Sequence, residues 1–192
     1  MNGVIGFADL LNSDDFSKEQ SSRYLSIIQR NGNQLLRLID DIIDISKLDT
    51  NQFKLNMEEC DIIQLLENEA ITFGRILETS AKPDLSMRLL VPSDISQLVI
   101  KTDQHRVRQV ITNLLNNALK FSEQGEITME LKADDQEVKI TVSDEGIGIP
   151  REKQETIFHR FNQVDYDIKN NRSGAGLGLA ISKGIIHKLG GN

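Results

Sequence analysis

Apolar and polar positions keep one rhythm up to about residue 50 and another beyond it. From about Ser17 to Leu48, the positions Ile28, Asn31, Leu35, Leu38, Ile42 and Ile45 recur at spacings of three and four, the a/d rhythm of a coiled-coil seam. Ile27, Leu36, Ile39 and Ile43 widen that stripe beyond what two helices joined by a short loop can bury. A dimeric four-helix bundle would bury it; packing against the rest of the same chain is the alternative. Asn31, inside the seam, would set register or partner number. Ser17 and Gln20 have the spacing of a capping box and predict the start of the helix. Before them, residues 12–18 read as a polar turn. Residues 1–11, with Val4, Ile5, Phe7, Leu10 and Leu11 apolar, read as the tail of an earlier amphipathic helix with no cap at its start.

Past Asp49-Thr50 the periods shorten and alternate. Phe53, Leu55 and Met57 alternate as a strand; residues 60–78 read as a helix; 85–91 and 98–100 read as strands parted by Pro92-Ser93-Asp94. Residues 104–121 form a strong helical pattern. Residues 126–131 and 137–143 read as a hairpin turning near Asp134-Asp135, 156–161 as a short helix, 164–173 as a polar loop, and 177–189 as a helix with a stop at Gly190-Gly191. The expected fold class is α+β: a helical hairpin over residues 1–50, then an α/β sandwich over 51–192 with a mixed sheet and helices on one face. Both ends read as cut, since the first helix lacks a start and nothing follows the last stop signal.

Composition narrows the function. Across 192 residues, 22 Lys plus Arg against 29 Asp plus Glu give a formal net charge of −7, a poor balance for neutralising duplex phosphates, so no nucleic-acid partner is expected. With 39% hydrophobic and 27% charged residues, the chain reads as globular and not as disordered. The single cysteine, Cys60, excludes an internal disulfide and a cysteine metal cluster, and three scattered histidines do not suggest a multi-His metal site. No run approaches the roughly 18–20 apolar residues of a membrane span, and the opening residues lack the basic flank of a signal peptide.

Three segments carry candidate chemistry. In RVRQVITNLLNNALKF (106–121), Val107, Val110, Ile111, Leu114, Leu115 and Ala118 make a buried helix face. Asn113 and Asn117 stack one turn apart on another face, with Lys120 three further on. Two amide oxygens beside an ammonium suit a hydrated Mg²⁺ carrying phosphates; solvated polar positions on an amphipathic helix are the plainer reading. In SDEGIGIP (143–150), Asp144 ends a strand and could accept a hydrogen bond from an exocyclic amine, while Gly146 and Gly148 permit close approaches; an ordinary Asp-Glu-Gly turn fits as well. SGAGLGL (173–179) is a glycine-rich loop entering a helix, an arrangement that can bind an anion on backbone N–H groups. It is neither a Rossmann fingerprint, since no strand leads into it, nor a Walker A motif.

Together and in this order, the three segments resemble the N box and the two glycine boxes of sensor histidine kinases. TIFHRF (156–161) resembles the F box, MNGVIGFADLL the stretch after that family's histidine signature, and ISKLD (45–49) the end of its second helix. The resemblance covers essentially the whole chain. It implies a dimerisation and phosphotransfer hairpin followed by an ATP-binding domain of the Bergerat fold, the nucleotide fold shared with type II topoisomerases and certain chaperones. It also implies ATP and Mg²⁺ as cofactors, a homodimer, a response-regulator receiver domain as partner, and a cytoplasmic position, free or as part of a membrane-bound sensor.

Carried onto this chain, the family pattern makes Asn117 the Mg²⁺ ligand with Asn113 assisting directly or through water, and Lys120 a phosphate contact. Asp144 would read the adenine amine, with Gly146 and Gly148 shaping that end of the pocket. Phe158 and Phe161 would anchor a lid over 164–173, Arg160 would be a phosphate contact or a lid ion-pair partner, and Gly174, Gly176 and Gly178 would hinge the lid and lead phosphates to the helix starting near Leu177. The sequence departs from the pattern at the acceptor: that histidine would precede Met1, so no catalytic residue is assigned, and His105, His159 and His187 fall at positions suited to surface or structural roles. The closing strands of the ATP-binding domain would follow Gly191. An ATPase of the same fold is disfavoured, because the position where such enzymes carry a water-activating glutamate is Asn113, and an amide is no general base. A dimeric nucleotide-sensing module without catalysis is the remaining alternative.

Overall fold

Ser17 opens the first helix as its spacing predicts. Its hydroxyl accepts from the Gln20 amide at 3.2 Å, and Gln20 Oε1 accepts from the Ser17 amide at 3.1 Å, so two amides that the helix itself cannot satisfy are paired reciprocally. The structure, a computed structural model, describes residues 17–134, 136–162 and 175–192. They fall into two compact units that part between Phe53 and Lys54. The earlier helix expected over 1–11 and the polar loop expected over 164–173 lie outside the described residues.

In the first unit, α1 (Lys18–Asp49) runs for 32 residues. Its end differs from expectation. Asn51 takes a left-handed conformation (φ 55°), and the amides of Gln52 and Phe53 both turn back to the Lys47 carbonyl, at 2.9 and 3.1 Å. Phe53, Leu55 and Met57 therefore belong to no strand. Their alternation is real, but the helix end takes the donors of the first of them. Along α1, Leu35, Leu36, Ile39, Ile42 and Ile43 stay exposed.

In the second unit, β1 (Glu58–Asp61) pairs antiparallel with β3 (Val99–Thr102), Cys60 opposite Ile100. The helix predicted from residue 60 starts instead at Ile62, because Asp61 caps it: Oδ1 accepts from the amides of Ile63 (3.1 Å), Gln64 (3.4 Å) and Leu98 (3.4 Å). That helix is α2 (Ile62–Glu78). β2 (Leu85–Leu90) runs parallel to β4 (Gly125–Ala133), and β4 pairs antiparallel with β5 (Val138–Ser143), giving the order β2-β4-β5. The expected mixed sheet is the three-stranded β2-β4-β5, and β1 and β3 form a two-stranded ribbon of their own. Pro92 and the turn closed by the Ile95 amide on its carbonyl divert the chain between β2 and β3. α3 (Gln104–Phe121) and α4 (Gly178–Lys188) follow their predicted patterns within a residue. The helix expected over 156–161 is only a 3₁₀ turn (Thr156–Phe158), preceded by another at Arg151–Lys153.

The core explains why α2 and α3 lie against the sheet. Ile127, Met129 and Leu131 alternate inward along β4 and are fully buried. They meet Ile62, Leu65, Leu66 and Phe73 of α2 and Val107, Ile111, Leu115 and Ala118 of α3. Leu114, expected on that face, is only half-buried. Both ends of α3 are held. At its start, Asp103 Oδ1 accepts from the Arg106 amide (3.1 Å) while Oδ2 accepts from the Asn56 amide (2.8 Å). At its end, Lys82 Nζ donates to the carbonyls of Leu119 and Ser122, both at 2.7 Å, a cation on the negative end of the helix dipole.

Asp103 is buried, so Asp103→Ala removes a cap and leaves the amide of the exposed Asn56 to water. A cap is worth about 1 kcal/mol and a further hydrogen bond about 0.5–1.5 kcal/mol. A loss of about 1–2 kcal/mol is expected in urea unfolding of the whole chain. A loss below about 0.5 kcal/mol would show that neither bond holds the helix start.

Candidate functional site

α3 is the platform of the site. Its apolar face is spent on the core, which leaves Asn113, Asn117 and Lys120 half-buried on a second face. The two amides differ in what they meet. Asn113 Nδ2 donates to Ser182 Oγ at 2.9 Å, and Ser182 is only 6% exposed. Gly178, one turn before Ser182 on α4, has its Cα against the same amide: a Cβ there would lie 2.9 Å from Asn113 Cγ and closer still to Oδ1. A glycine is required at this point for space, and Asn113 clamps the start of α4 onto α3. Asn117 forms no side-chain hydrogen bond with another described residue, while the Lys120 ammonium stands 4.4 Å from the centre of the Phe121 ring.

The end of α3 carries Asp144. Ser122, wholly buried as the C-cap, donates its hydroxyl to Asp144 Oδ1 at 3.3 Å, and the Gly146 amide donates to the same oxygen at 2.9 Å. Oδ2 has no partner among the described residues. Gly146 lies on the helix end itself: a Cβ would come within 2.6 Å of the Phe121 carbonyl oxygen, which also accepts from the Ile147 amide at 3.3 Å. Gly148 answers a different need, since its surroundings are open but its φ is +67°. Ser122 lies five residues beyond Asn117, so at 1.5 Å per residue the bond that holds Asp144 is about 7 Å further along the α3 axis.

The second glycine segment closes on the residues that follow the 3₁₀ turns. The Phe161 amide donates to the Gly176 carbonyl at 2.9 Å. Gly176 has φ +66°, and a Cβ on it would sit 2.8 Å from the Asn162 carbonyl oxygen. Phe161 itself is left-handed (φ 58°) and 70% exposed, a costly conformation for an aromatic residue. The Lys183 ammonium lies 5.3 Å from the Phe158 ring centre. Leu177 is buried, and α4 has no side-chain cap. The first-turn amides of α4 therefore have no partner from such a cap, and they carry the positive end of its dipole.

Of the residues picked from sequence, Asn113, Gly178 and Leu177 come together where α4 meets α3, and Asp144 and Gly146 come together at the end of α3. Gly176 joins Phe161, Gly148 stands alone, and Arg160 is exposed on the segment between. Gly174 lies outside the described residues. His105, His159 and His187 are all exposed. Cys60 lies buried in the core, where burial first, then Glu58 and Asp61, push its thiol above the ordinary range. Among the described residues no group of three His, Cys, Asp or Glu could hold a metal, so an ion at this site would draw on amide and phosphate oxygens. No helix among them is long and apolar enough to cross a membrane. An open groove of about 460 Å³ lies elsewhere, between α2 and β2, lined by Ala70, Gly74, Leu77, Lys82 and Met87 among others.

Sequence reasoning missed Ser182, Ser122 and Lys82. Ser182 had a signal, a hydroxyl set between the buried Ile181 and Ile185 of an apolar helix. Ser122 and Lys82 had none, because their partners are main-chain or distant in sequence.

Two family models match the chain, in order. Residues 1–51 match the His Kinase A (phospho-acceptor) domain, and residues 102–192 match the histidine kinase-, DNA gyrase B- and HSP90-like ATPase. The signal transduction histidine-protein kinase BarA of Escherichia coli K12 is 34% identical across the whole of this chain and 21% of its own length. Hybrid signal transduction histidine kinase A of Dictyostelium discoideum is 35% identical, again across the whole chain but only 9% of its own length. The chain thus spans about a fifth or less of these relatives. Among solved structures, full-length ShkA in complex with AMPPNP superimposes with a TM-score of 0.74 at 30% identity, over 98% of this chain and 38% of that one. With the phospho-acceptor and ATPase-type models matching in sequence order and kinase relatives aligned from end to end, the chain belongs to the sensor histidine kinases.

Proposed function

We propose that this chain binds Mg²⁺-ATP in the second unit and is the core of a kinase that transfers the γ-phosphoryl group to a histidine nitrogen on the helical hairpin of a homodimer, a residue that would precede Met1 and that this sequence does not contain, and from there to a response-regulator aspartate. In the transfer, the bond from the γ-phosphorus to the bridging oxygen breaks, the bond to the histidine nitrogen forms, and ADP leaves with the electron pair. The observation that carries this reading is that both glycine segments are fastened to one helix: the first to the end of α3 through Asp144 and Gly146, the second to Asn113 through Gly178.

The chemistry of the residues fits the ligand. Asp144 Oδ2, free of protein partners among the described residues, is available to accept from the adenine amine and would face a carbonyl in guanine, acceptor against acceptor. The uncapped start of α4 suits phosphate oxygens. Asn117 and Asn113 would hold the Mg²⁺ ion, a hard cation that takes few protein oxygens alongside phosphate and water; when bound, it neutralises charge on the transferred group. Lys120 adds a positive charge on the same helix face. The structure of ShkA with AMPPNP, at 30% identity, supports the nucleotide. The response-regulator partner is what the family implies; the solved complex of the kinase ThkA with the regulator TrrA, at 23% identity, matches this chain in fold alone. Hydrolysis by an ATPase of the same fold has no general base at Asn113.

Calorimetry tests the pocket. The chain is expected to bind Mg²⁺-ATP and to discriminate against GTP. Asn117→Ala should weaken ATP binding by at least tenfold, about 1.4 kcal/mol, and Asp144→Asn should narrow the ATP-to-GTP ratio. Unchanged ATP affinity in Asn117→Ala removes that residue from the site, and no ATP binding by the unaltered chain at millimolar nucleotide sinks the proposal.

The exposed row Leu35, Leu36, Ile39, Ile42 and Ile43 supports the homodimer, since burying each side chain is worth about 1.5–3 kcal/mol. Light scattering at high micromolar concentration should give a dimer for the unaltered chain and a monomer for Ile42→Asp. A monomer in both cases counts against the hairpin interface.

A further inference from the structure

Lys82 lies in the loop between α2 and β2, yet its side chain reaches the point where the chain leaves α3. Its Nζ donates to the carbonyls of Leu119 and Ser122, both at 2.7 Å, and stands 3.6 Å from Glu123 Oε2. An ammonium only donates and a carbonyl only accepts, so the sense of both bonds is fixed. Ser122 is thereby held at every polar atom. Its amide donates to the Ala118 carbonyl at 3.0 Å, its carbonyl accepts from Lys82, and its hydroxyl donates to Asp144 Oδ1 at 3.3 Å. The first two bonds hold the backbone angles of Ser122 (φ −103°, ψ 137°), and those angles set where its hydroxyl can point. Lys82 is anchored in turn. Its amide donates to Ser80 Oγ at 3.3 Å, its carbonyl accepts from the Leu85 amide at 3.2 Å, and the nearby Asp84 carbonyl accepts from the Gly125 amide at 2.9 Å. The loop before β2 and the turn after α3 therefore hold each other at two points.

We propose that Lys82 is a positioning residue for base selection: by gripping the Ser122 carbonyl it fixes the hydroxyl that aims Asp144. Ser122 is wholly buried, so without the ammonium its carbonyl has no partner, and the turn relaxes to find one. Asp144 Oδ1 then keeps the Gly146 amide alone, at 2.9 Å. A carboxylate held by one donor can swing about that bond, and Oδ2 no longer presents an acceptor in one direction. The loss falls on the contrast between a base that offers an amine and one that offers a carbonyl. The proposal rests on the adenine reading of Asp144 above and adds the group that keeps that reading sharp. It involves no contact between Lys82 and the nucleotide.

The test is the ratio of AMPPNP to GMPPNP affinity in saturating Mg²⁺, by calorimetry on the whole chain, for the unaltered protein, Lys82→Met, Ser122→Ala, the double variant and Lys82→Arg. The two nucleotides carry the same phosphates, so any change at Lys120 or at the metal cancels in the ratio. Urea unfolding checks that each variant is folded. Lys82→Gln, shorter and uncharged, takes the place of Lys82→Met if that variant does not fold, with the same expectation. Lys82→Met and Ser122→Ala should each lower the ratio by about fivefold, the weight of one hydrogen bond. The double variant should lower it no further than either alone. Lys82→Arg, whose guanidinium also donates to two oxygens, should hold the ratio within about twofold. An unchanged ratio in folded Lys82→Met, with both affinities intact or falling together, overturns the proposal and leaves the nucleotide reading standing. A double variant that loses the product of the two single losses overturns it too, because Lys82 and Ser122 would then act apart. An unaltered chain that binds neither nucleotide, or binds both equally, overturns the reading of the pocket and this inference with it.

Discussion

The second unit depends on the fixed placement of one helix. α3 has to satisfy two surfaces at once: its apolar face closes the core over β4, and its polar face carries the amides and the ammonium. A rotation of the helix by a fraction of a turn would expose Ile111 and Leu115 and misdirect Asn113 and Asn117 together. Packing at native density resists that rotation, and the ends resist sliding. Asp103 pins the start to the Asn56 amide, and Lys82 pins the end by two carbonyls. Glu69 adds an outer tie from α2, accepting from Arg108 Nε at 3.0 Å and Thr112 Oγ1 at 3.1 Å. A half-exposed pair of this kind contributes on the order of 1 kcal/mol, so the core and the two caps carry most of the restraint.

The glycines show how a loop is built onto such a platform. Gly146 and Gly178 keep ordinary backbone angles and are needed because a neighbour occupies the place of a side chain, the Phe121 carbonyl in one case and the Asn113 amide in the other. Gly148 has open space and needs only its positive φ, and Gly176 needs both. The two glycine-rich strings therefore read alike in sequence and work differently. One side of each fastens to α3, and the other bends the chain away from it.

Periodic features were legible in the sequence and long-range pairings were not. The bounds of α3 were readable because five apolar positions repeat on one face, and α4 likewise because Ile181 and Ile185 recur at helical spacing. The strand at residues 53–57 was misread because alternation says nothing about which carbonyl the backbone donors will find, and Lys47 takes two of them. β1, with Glu58 and Glu59 exposed, has almost no pattern of its own and exists because β3 pairs with it. In the site, residue types at motif spacing picked out Asn113 and Asp144. Their supports, Ser182 and Ser122, stayed hidden because each is defined by a partner many residues away, 69 in one case and 22 in the other.

In the proposed reaction, the identity of residue 113 would bear on the choice between transferring a phosphoryl group and losing it to water. A carboxylate at this position could accept a proton from water, but its bond to α4 would have to be rebuilt. Ser182 would then have to act as donor instead of acceptor, and the longer side chain of a glutamate would run into Gly178, where even a Cβ is crowded. The α3–α4 clamp is therefore built around an amide. The junction that holds the start of α4 carries an amide where a water-activating base would have to stand. A change at Asn113 meant to introduce hydrolysis would first have to make room on α4.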